Sequence, residues 1–169
     1  MIPELGHFAL IIALCIALVQ SILPLVGAAR GITPWMALAR PAAQGQFVFL
    51  AIAMACLWYA LIANDFSVQY VASNSNSHLP VEYRMAALWG AHEGSLLLWA
   101  FILSVWTLAV AIFSRSLPDA FVARVLGVMG LISIGFLLFM LLTSNPFDRV
   151  FPAALEGRDL NPLLQDIGL

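Results

Sequence analysis

Four long stretches of the chain consist almost entirely of apolar residues, and polar segments separate them. They cover about positions 5–29, 47–63, 85–113 and 122–143. A helix needs roughly 20 mostly apolar residues to cross the hydrocarbon core of a bilayer. Because lipid offers no hydrogen-bond partners, such a segment must satisfy its own backbone N–H and C=O groups. The pattern therefore predicts an all-α integral membrane protein, a bundle of four transmembrane helices forming a single transmembrane region over positions 1–169.

The composition agrees with a membrane location and argues against other classes of protein. Hydrophobic residues make up 63% of the chain and charged residues only 9%, whereas a soluble domain usually has about 25% charged residues. The net charge is −2, so no basic surface for nucleic acid is predicted. Cys15 and Cys56 lie inside apolar stretches, without the spacing of a metal-binding cluster. The sequence therefore predicts no metal site and no nucleic-acid partner.

The distribution of arginines predicts the orientation of the bundle. The links between the first and second and between the third and fourth stretches carry Arg30, Arg40, Arg115 and Arg124, against the single acid Asp119. The segments on the other side carry three arginines and seven acids. Short arginine-rich links usually stay in the cytoplasm. We therefore expect a bacterial inner-membrane protein with both termini in the periplasm.

The polar segments on the predicted outer side are long enough to cover the helix ends. They are a loop at 64–84 and a tail at 144–169, and both are read as surface segments. The tail ends in an apolar turn, which indicates the N-terminal part of a larger polytopic protein. The side chains that we expect to make periplasmic contacts are His7, His78, Arg84, Asp159 and Asn161.

The third apolar stretch contains a histidine and a glutamate among tryptophans. If 85–113 forms one helix with about 100° per residue, Trp89, His92 and Trp99 share one face, and Glu93 lies beside it. Ionisable groups inside a membrane helix are costly and usually face protein or water. These residues are therefore the candidates for docking a ligand or a partner near the outer surface.

The opposite side of the same stretch carries small residues. Gly90 and Gly94 are four positions apart. In lipid, helices associate by close packing, and this spacing allows the backbone of a neighbouring helix to approach. The pair is therefore predicted to be a helix-packing site.

Two other interpretations of the histidine and glutamate remain open. Glu93 could be structural, bonded to Arg84, to a loop amide or to the next helix. The pair could instead belong to a proton relay, which would need further ionisable groups along the helices. Below Glu93 the third and fourth stretches offer only hydroxyls, at Ser95, Ser104, Thr107 and Ser133, and this sparse set argues against a relay.

Six sequence motifs resemble the CcmF family, the haem lyase component of bacterial cytochrome c maturation. The longest are WGAHEGSLLLW at 89–99 and GRDLNPLLQD at 157–166, and the others lie at 1–8, 64–68, 70–76 and 143–147. The two long motifs are rich in rare residues and are therefore specific. The resemblance extends over essentially the whole chain, although Ile167 stands where the family pattern leads us to expect proline.

The resemblance implies a polytopic inner-membrane protein that receives haem from a periplasmic haem chaperone. Such a protein helps attach haem to the CxxCH cysteines of apocytochrome c, together with a thiol-handling subunit that presents the apocytochrome. It also implies a b-type haem. The WxWD segment and the axial histidines of the family have no matching positions in this chain, so no haem ligand and no catalytic residue is carried over. An axial ligand from His7, His78 or His92 would be an addition to the family pattern.

We interpret the chain as part of the membrane haem lyase of cytochrome c biogenesis. Trp89, His92, Glu93 and Trp99 are the candidates for docking haem or a partner. Whether the chain itself has enzymatic activity stays open. One alternative is a structural module that braces the haem-binding half without touching haem, and another is an ion- or proton-pathway subunit of a transporter.

Overall fold

The computed structural model of the chain describes residues 1–159 and is helical throughout its long elements. The elements are α1 Ile2–Arg30, α2 Thr33–Ala37, α3 Ala39–Ile62, α4 Gln69–Asn74, α5 Val81–Ala86, a 3-10 turn Ala87–Trp89, α6 His92–Phe113 and α7 Asp119–Thr143. Four spans are long and apolar enough to cross a membrane: α1, α3 together with the preceding α2, α6 and α7. This confirms the prediction of an all-α membrane bundle with four spans.

The second span begins earlier than the apolar pattern suggests. The predicted helix covers 47–63, but α3 starts at Ala39. The pattern stops at Arg40 and Gln46 because both are polar, yet both residues lie within the helix. The Arg40 guanidinium donates to the carbonyl oxygens of Ala111 (2.5 Å) and Ser114 (3.0 Å) at the end of α6, and Gln46 is fully buried.

The prediction of one continuous helix over 85–113 is wrong. The helical path breaks at Gly90 and Ala91, and Ala91 adopts an extended conformation (φ −141°, ψ 174°) before α6 begins at His92. The buried hydroxyl of Tyr70 lies 2.9 Å from the carbonyl oxygen of Ala87 and 2.8 Å from that of Leu88. In a continuous helix these carbonyls would accept from amides four residues later. Here the Tyr70 hydroxyl shares its one hydrogen between the two carbonyls, the Gly90 amide also donates to Ala87 (3.0 Å), and the helix restarts at His92.

α1 packs along both α3 and α7, whereas α6 packs mainly on α3. The close contact between α1 and α7 occurs at Gly130, where an added Cβ would lie 3.2 Å from the Ser21 amide nitrogen and 3.3 Å from the Ala17 carbonyl oxygen. Small residues allow such backbone approach in membrane helices. Gly130 of α7 therefore makes a close small-residue contact with the backbone of α1.

The two ends of the bundle differ in charge. One end, which we call the arginine end, carries Arg30, Arg40, Arg115 and Arg124, and Arg124 donates to the carbonyl oxygen of Ala28 at the end of α1 (3.2 Å). The opposite end, which we call the loop end, is formed by the start of α1, the segment 63–91 and the described tail 144–159. The charges are thus sorted to the two ends as the arginine distribution predicts.

Candidate functional site

The loop end is held together by the tail, which pairs with the segment after α3. The amide of Gln69 donates to the Asp148 carbonyl oxygen (2.8 Å), and the amide of Val150 donates to the Ser67 carbonyl oxygen (2.9 Å). Val68 and Arg149 form an antiparallel bridge between these contacts. Two backbone hydrogen bonds and the bridge therefore join segments 67–69 and 148–150 and fix the tail over the helix ends.

Arg149 joins three separate parts of the chain at this end. Its Nε atom donates to the Glu4 carboxylate at the start of α1 (2.9 Å), and its Nη1 atom lies 3.5 Å from the Asp65 carboxylate. The same guanidinium contacts the Ser67 hydroxyl. Because one rigid guanidinium can bind several acceptors at once, Arg149 connects the first span, the loop and the tail.

A small polar pocket of about 180 Å³ lies between the loop, the tail and the start of α6. It contains two carboxylates, Glu93 and Asp148, and its lining residues are Gln69, Tyr70, Ser73, Asn74, Glu93, Thr143, Ser144, Asn145 and Asp148. Burial raises the pKa of the Tyr70 phenol above its ordinary value, so Tyr70 stays a neutral hydrogen-bond donor. The pocket is suited to polar or hydrogen-bonding groups.

A second pocket of about 300 Å³ lies beside the first and shares Asn145 and Asp148 with it. His7 and Glu4 of α1 and Arg149 of the tail line this second pocket. The Asn145 side-chain amide donates to His7 Nδ1 (2.9 Å). Asn145 and Asp148 thus form the wall between two adjacent polar pockets.

The structure brings three of the predicted docking residues to the loop end. Trp89 is 47% exposed just before the break. His92 Nδ1 lies 3.4 Å from Glu93 Oε2, with the His92 side chain 67% exposed and that of Glu93 28% exposed. Trp99 lies two turns further along α6 on its exposed side. The four residues do not share one helix face, because Trp89 precedes the break.

The predicted packing pair does not lie on one continuous helix. Gly90 is the residue after the 3-10 turn, and Gly94 lies in the first turn of α6. A Cβ at Gly94 would collide with the Leu88 carbonyl oxygen and the Tyr70 hydroxyl. The two glycines therefore do not form a pair on one continuous helix, and a helix–helix contact made by both of them stays a prediction. Gly94 instead makes room for the tyrosine that ends the preceding turn.

Three of the five residues predicted to make periplasmic contacts, His7, Arg84 and Asp159, form hydrogen bonds within the chain. Arg84 donates to the carbonyl oxygens of Leu79 and Ile62 (both 3.0 Å), so it binds backbone and not Glu93. Asp159 accepts from the Asn76 side-chain amide (2.7 Å), and His78 is exposed. Asn161 lies outside the described residues.

Glu156 is one of the residues that attach the end of the described tail to the loop. Glu156 accepts from the Ser77 amide (2.9 Å) and from the Ser77 hydroxyl (2.7 Å). These hydrogen bonds lower the pKa of the Glu156 carboxyl below its ordinary value. In addition, the Arg158 amide donates to the Ala72 carbonyl oxygen (2.8 Å). The contact pairs segment 72–77 with segment 156–158.

Sequence reasoning missed Tyr70, Asn145, Asp148 and Arg149 as residues of this site. A signal was present at Thr143–Ser144–Asn145, where polar residues directly follow the last apolar stretch and precede Pro146. In the sequence that motif supports only the family resemblance. The contact of Asn145 with His7 at the start of α1 depends on the fold, so the sequence spacing does not predict it.

The haem that the resemblance implies does not fit either polar pocket of the loop end. Each polar pocket is no larger than about 300 Å³, at the lower limit for ligand sites, which are usually mostly apolar. His7 is bonded to Asn145, and His78 and His92 are exposed. Among residues 1–159, no group of three or more His, Cys, Asp or Glu side chains could hold a metal ion. No step through haem is therefore assigned to this site.

Comparison with known proteins assigns the fold and sequence to one family. A family model described as "Cytochrome C assembly protein" matches residues 89–169. "Cytochrome c-type biogenesis protein CcmF" of Pseudomonas aeruginosa is 68% identical over 100% of this chain and 26% of its own length. The protein of the same name from Escherichia coli is 58% identical, with the same coverage.

A solved structure supports the same assignment. "Cytochrome c Heme Lyase CcmF" matches with a TM-score of 0.81 and 28% identity over 88% of this chain and 25% of that chain. The chain thus spans about a quarter of the length of the relatives that it matches. This multi-pass membrane chain belongs to the CcmF family of cytochrome c-type biogenesis proteins.

Proposed function

We propose that the chain forms part of the membrane haem lyase of cytochrome c biogenesis, with its loop end in the periplasm. Relatives at 54–68% identity over the whole chain are named for cytochrome c-type biogenesis, and one matching structure is named a haem lyase. The arginine end carries the four arginines of the short links, which favours a cytoplasmic position for it in the bacterial inner membrane. Both termini then face the periplasm.

In this proposal the loop end docks the periplasmic partners of the reaction. The observation that carries it is the exposure of Trp89 and His92 beside a polar pocket lined by Glu93. An exposed tryptophan on a rigid support is typical of residues that dominate binding energy at interfaces. The break before α6 supplies this arrangement, because it points Trp89 away from the bundle at the edge of the membrane.

The chain's own residues act here by position and charge. Trp89 offers an apolar surface with an indole N–H, and Glu93 and Asp148 offer hydrogen-bond acceptors in the pocket. The partners implied by the family are the haem chaperone, the thiol-handling subunit and apocytochrome c. The thioether chemistry and the b-type haem then belong to the part of the family's polypeptide that this chain does not match.

The test uses the full-length polypeptide in a bacterial strain that lacks its own copy. Trp89→Ala, His92→Ala and Glu93→Gln should each lower the yield of mature cytochrome c while the protein level in the membrane stays unchanged. Glu82→Gln is the matched control, because Glu82 is an exposed acid at the same end of the bundle. A loss of mature cytochrome c that is always matched by an equal loss of protein would indicate a folding role and refute docking.

A bracing role is the second candidate, and the contacts of Arg149 favour it. If the chain only supports the haem-binding part, Arg149→Gln should lower the protein level, and the Trp89 and His92 variants should behave like the control. The ion-pathway alternative has no comparable support. The buried polar side chains within the described spans are all uncharged, namely Gln20, Ser21, Gln46, Ser104, Thr107 and Ser133.

A further inference from the structure

Two tryptophans of α6 are exposed deep within the membrane span. Trp99 is 65% exposed and Trp106 is 66% exposed. They lie 7 and 14 residues after His92, which corresponds to depths of about 10 and 21 Å at 1.5 Å per residue. Both depths lie inside a hydrocarbon core of about 30 Å. These side chains therefore do not belong to an interfacial belt, where tryptophan is enriched.

An indole in lipid at this depth leaves its N–H without an acceptor. Tryptophan usually finds a hydrogen-bond partner for this group when it is removed from water, and an unpaired polar group in an apolar medium is costly. The other long helices present a different surface. The large exposed residues in the middle of α1 and α7 have no polar side-chain atom, for example Leu18 in α1 and Leu131 in α7. Lipid suits those surfaces but not the outer face of α6.

The exposed tryptophans lie next to a groove between α6 and α7. Leu96, one turn before Trp99, lines this groove together with Ile132, Gly135, Phe136 and Phe139 of α7, and the groove has a volume of about 400 Å³. An added Cβ at Gly135 would meet nothing within 4 Å. An open glycine in a membrane helix allows another helix to approach closely. The groove and the tryptophans thus form one continuous surface, which we call the α6–α7 face.

The length of the relatives indicates what covers this surface. The chain matches 26% of the CcmF protein of Pseudomonas aeruginosa, and the same fold makes up 25% of the matching solved chain. We propose that the α6–α7 face is the contact surface for transmembrane helices from the rest of the CcmF polypeptide. A helix there fills the groove and brings a hydrogen-bond acceptor to the indoles of Trp99 and Trp106. This inference rests on family membership and not on docking at the loop end.

The test is photo-cross-linking in the full-length polypeptide in its native membrane. Benzoylphenylalanine replaces Trp99 or Trp106, and it replaces Leu18 as the control. Leu18 lies on the exposed side of α1, 16 residues after Ile2, at a depth of about 24 Å that is close to the depth of Trp106. Mass spectrometry should find cross-links from both tryptophan positions to helices of the same polypeptide outside positions 1–169. The control should give lipid adducts. Lipid adducts alone at both tryptophan positions, cross-links to a second copy, or equal helix cross-links from the control would overturn the proposal.

A second measurement covers the case in which the cross-linker disturbs folding. Brominated lipids quench tryptophan fluorescence on contact, so the difference between the wild type and Trp106→Phe reports whether lipid reaches Trp106. We expect this component to keep most of its intensity, whereas an added Leu18→Trp loses most of its own. Strong quenching of the Trp106 component would show that the face is open to lipid. Mature cytochrome c is not the readout, so a negative result leaves the docking proposal to its own test.

Discussion

The hydroxyl of Tyr70 provides a direct test of how the start of α6 is fixed. Tyr70 is only 4% exposed, and its hydroxyl lies within 2.9 Å of the Ala87 and Leu88 carbonyl oxygens. The Ala91 amide approaches the same oxygen (3.4 Å). Tyr70→Phe keeps the ring and removes these bonds. The Leu88 carbonyl then loses its side-chain donor, whereas the Ala87 carbonyl keeps the Gly90 amide (3.0 Å). Gly94 beside them still leaves the space that the hydroxyl filled.

The expected cost follows from that loss. Leaving buried polar groups unsatisfied costs about 1–3 kcal/mol. For a chain of this size, 1 kcal/mol lowers the melting temperature by about 2–4 °C. We therefore expect Tyr70→Phe to melt roughly 2–12 °C below the wild type in detergent, measured by the loss of the monomer peak after heating. It should also lower the yield of mature cytochrome c, because His92 and Glu93 are positioned by the same break.

The matched control is Tyr59→Phe, since Tyr59 is 55% exposed on α3. The free energy of unfolding of that variant should lie within about 0.5 kcal/mol of the wild-type value, as is usual for surface changes. If Tyr70→Phe and Tyr59→Phe melt at the same temperature, the hydroxyl does not hold the break. The assignment of Tyr70 as the residue that divides the third apolar stretch would then be refuted.

Three further predictions concern the ends and the centre of the bundle. Gly130→Ala should destabilise the protein by about 1–3 kcal/mol, because its Cβ would meet the backbone of α1. Gly45→Ala in α3 should be neutral or stabilising by up to about 1 kcal/mol, because its Cβ would make only an ordinary contact with Ile16 (3.4 Å); equal melting temperatures of the two variants would contradict the packing. Arg40→Met should lower the melting temperature more than Arg30→Met, since only Arg40 is placed against the carbonyls that end α6, and charged hydrogen bonds contribute about 1.5–3 kcal/mol. Glu156 has a lowered pKa in the folded chain, so its contact stabilises the tail fully above the ordinary glutamate pKa of about 4.3 and is lost as the pH falls from there through the lowered pKa. Protease cleavage of the tail should therefore increase on acidification, and Glu156→Gln should remove that pH dependence.

The number and position of the spans could be predicted from the sequence, because the free energy of transfer into lipid is a sum over the residues of one segment. Four apolar stretches gave four spans, and α1 and α7 end within a few residues of the predicted limits. The arginines of the links could also be assigned to one end, since alternate links must lie on the same side. His92 and Glu93 were found for a related reason: an ionisable pair inside an apolar stretch is costly wherever it lies.

Only the tertiary structure decided where helices break and which polar residues meet. Nothing in 85–113 signals an interruption, because the competing hydrogen-bond donor is Tyr70, in a separate short helix. Likewise the predicted second span begins only at 47, after the charged Arg40, although α3 includes Arg40 and carbonyl oxygens at the end of α6 accept its hydrogen bonds. The contacts of Arg149 with Glu4 and Asp65 join segments from opposite ends of the chain. Hydrophobic burial in lipid is local and additive, whereas each hydrogen bond needs a partner that only the folded chain brings near.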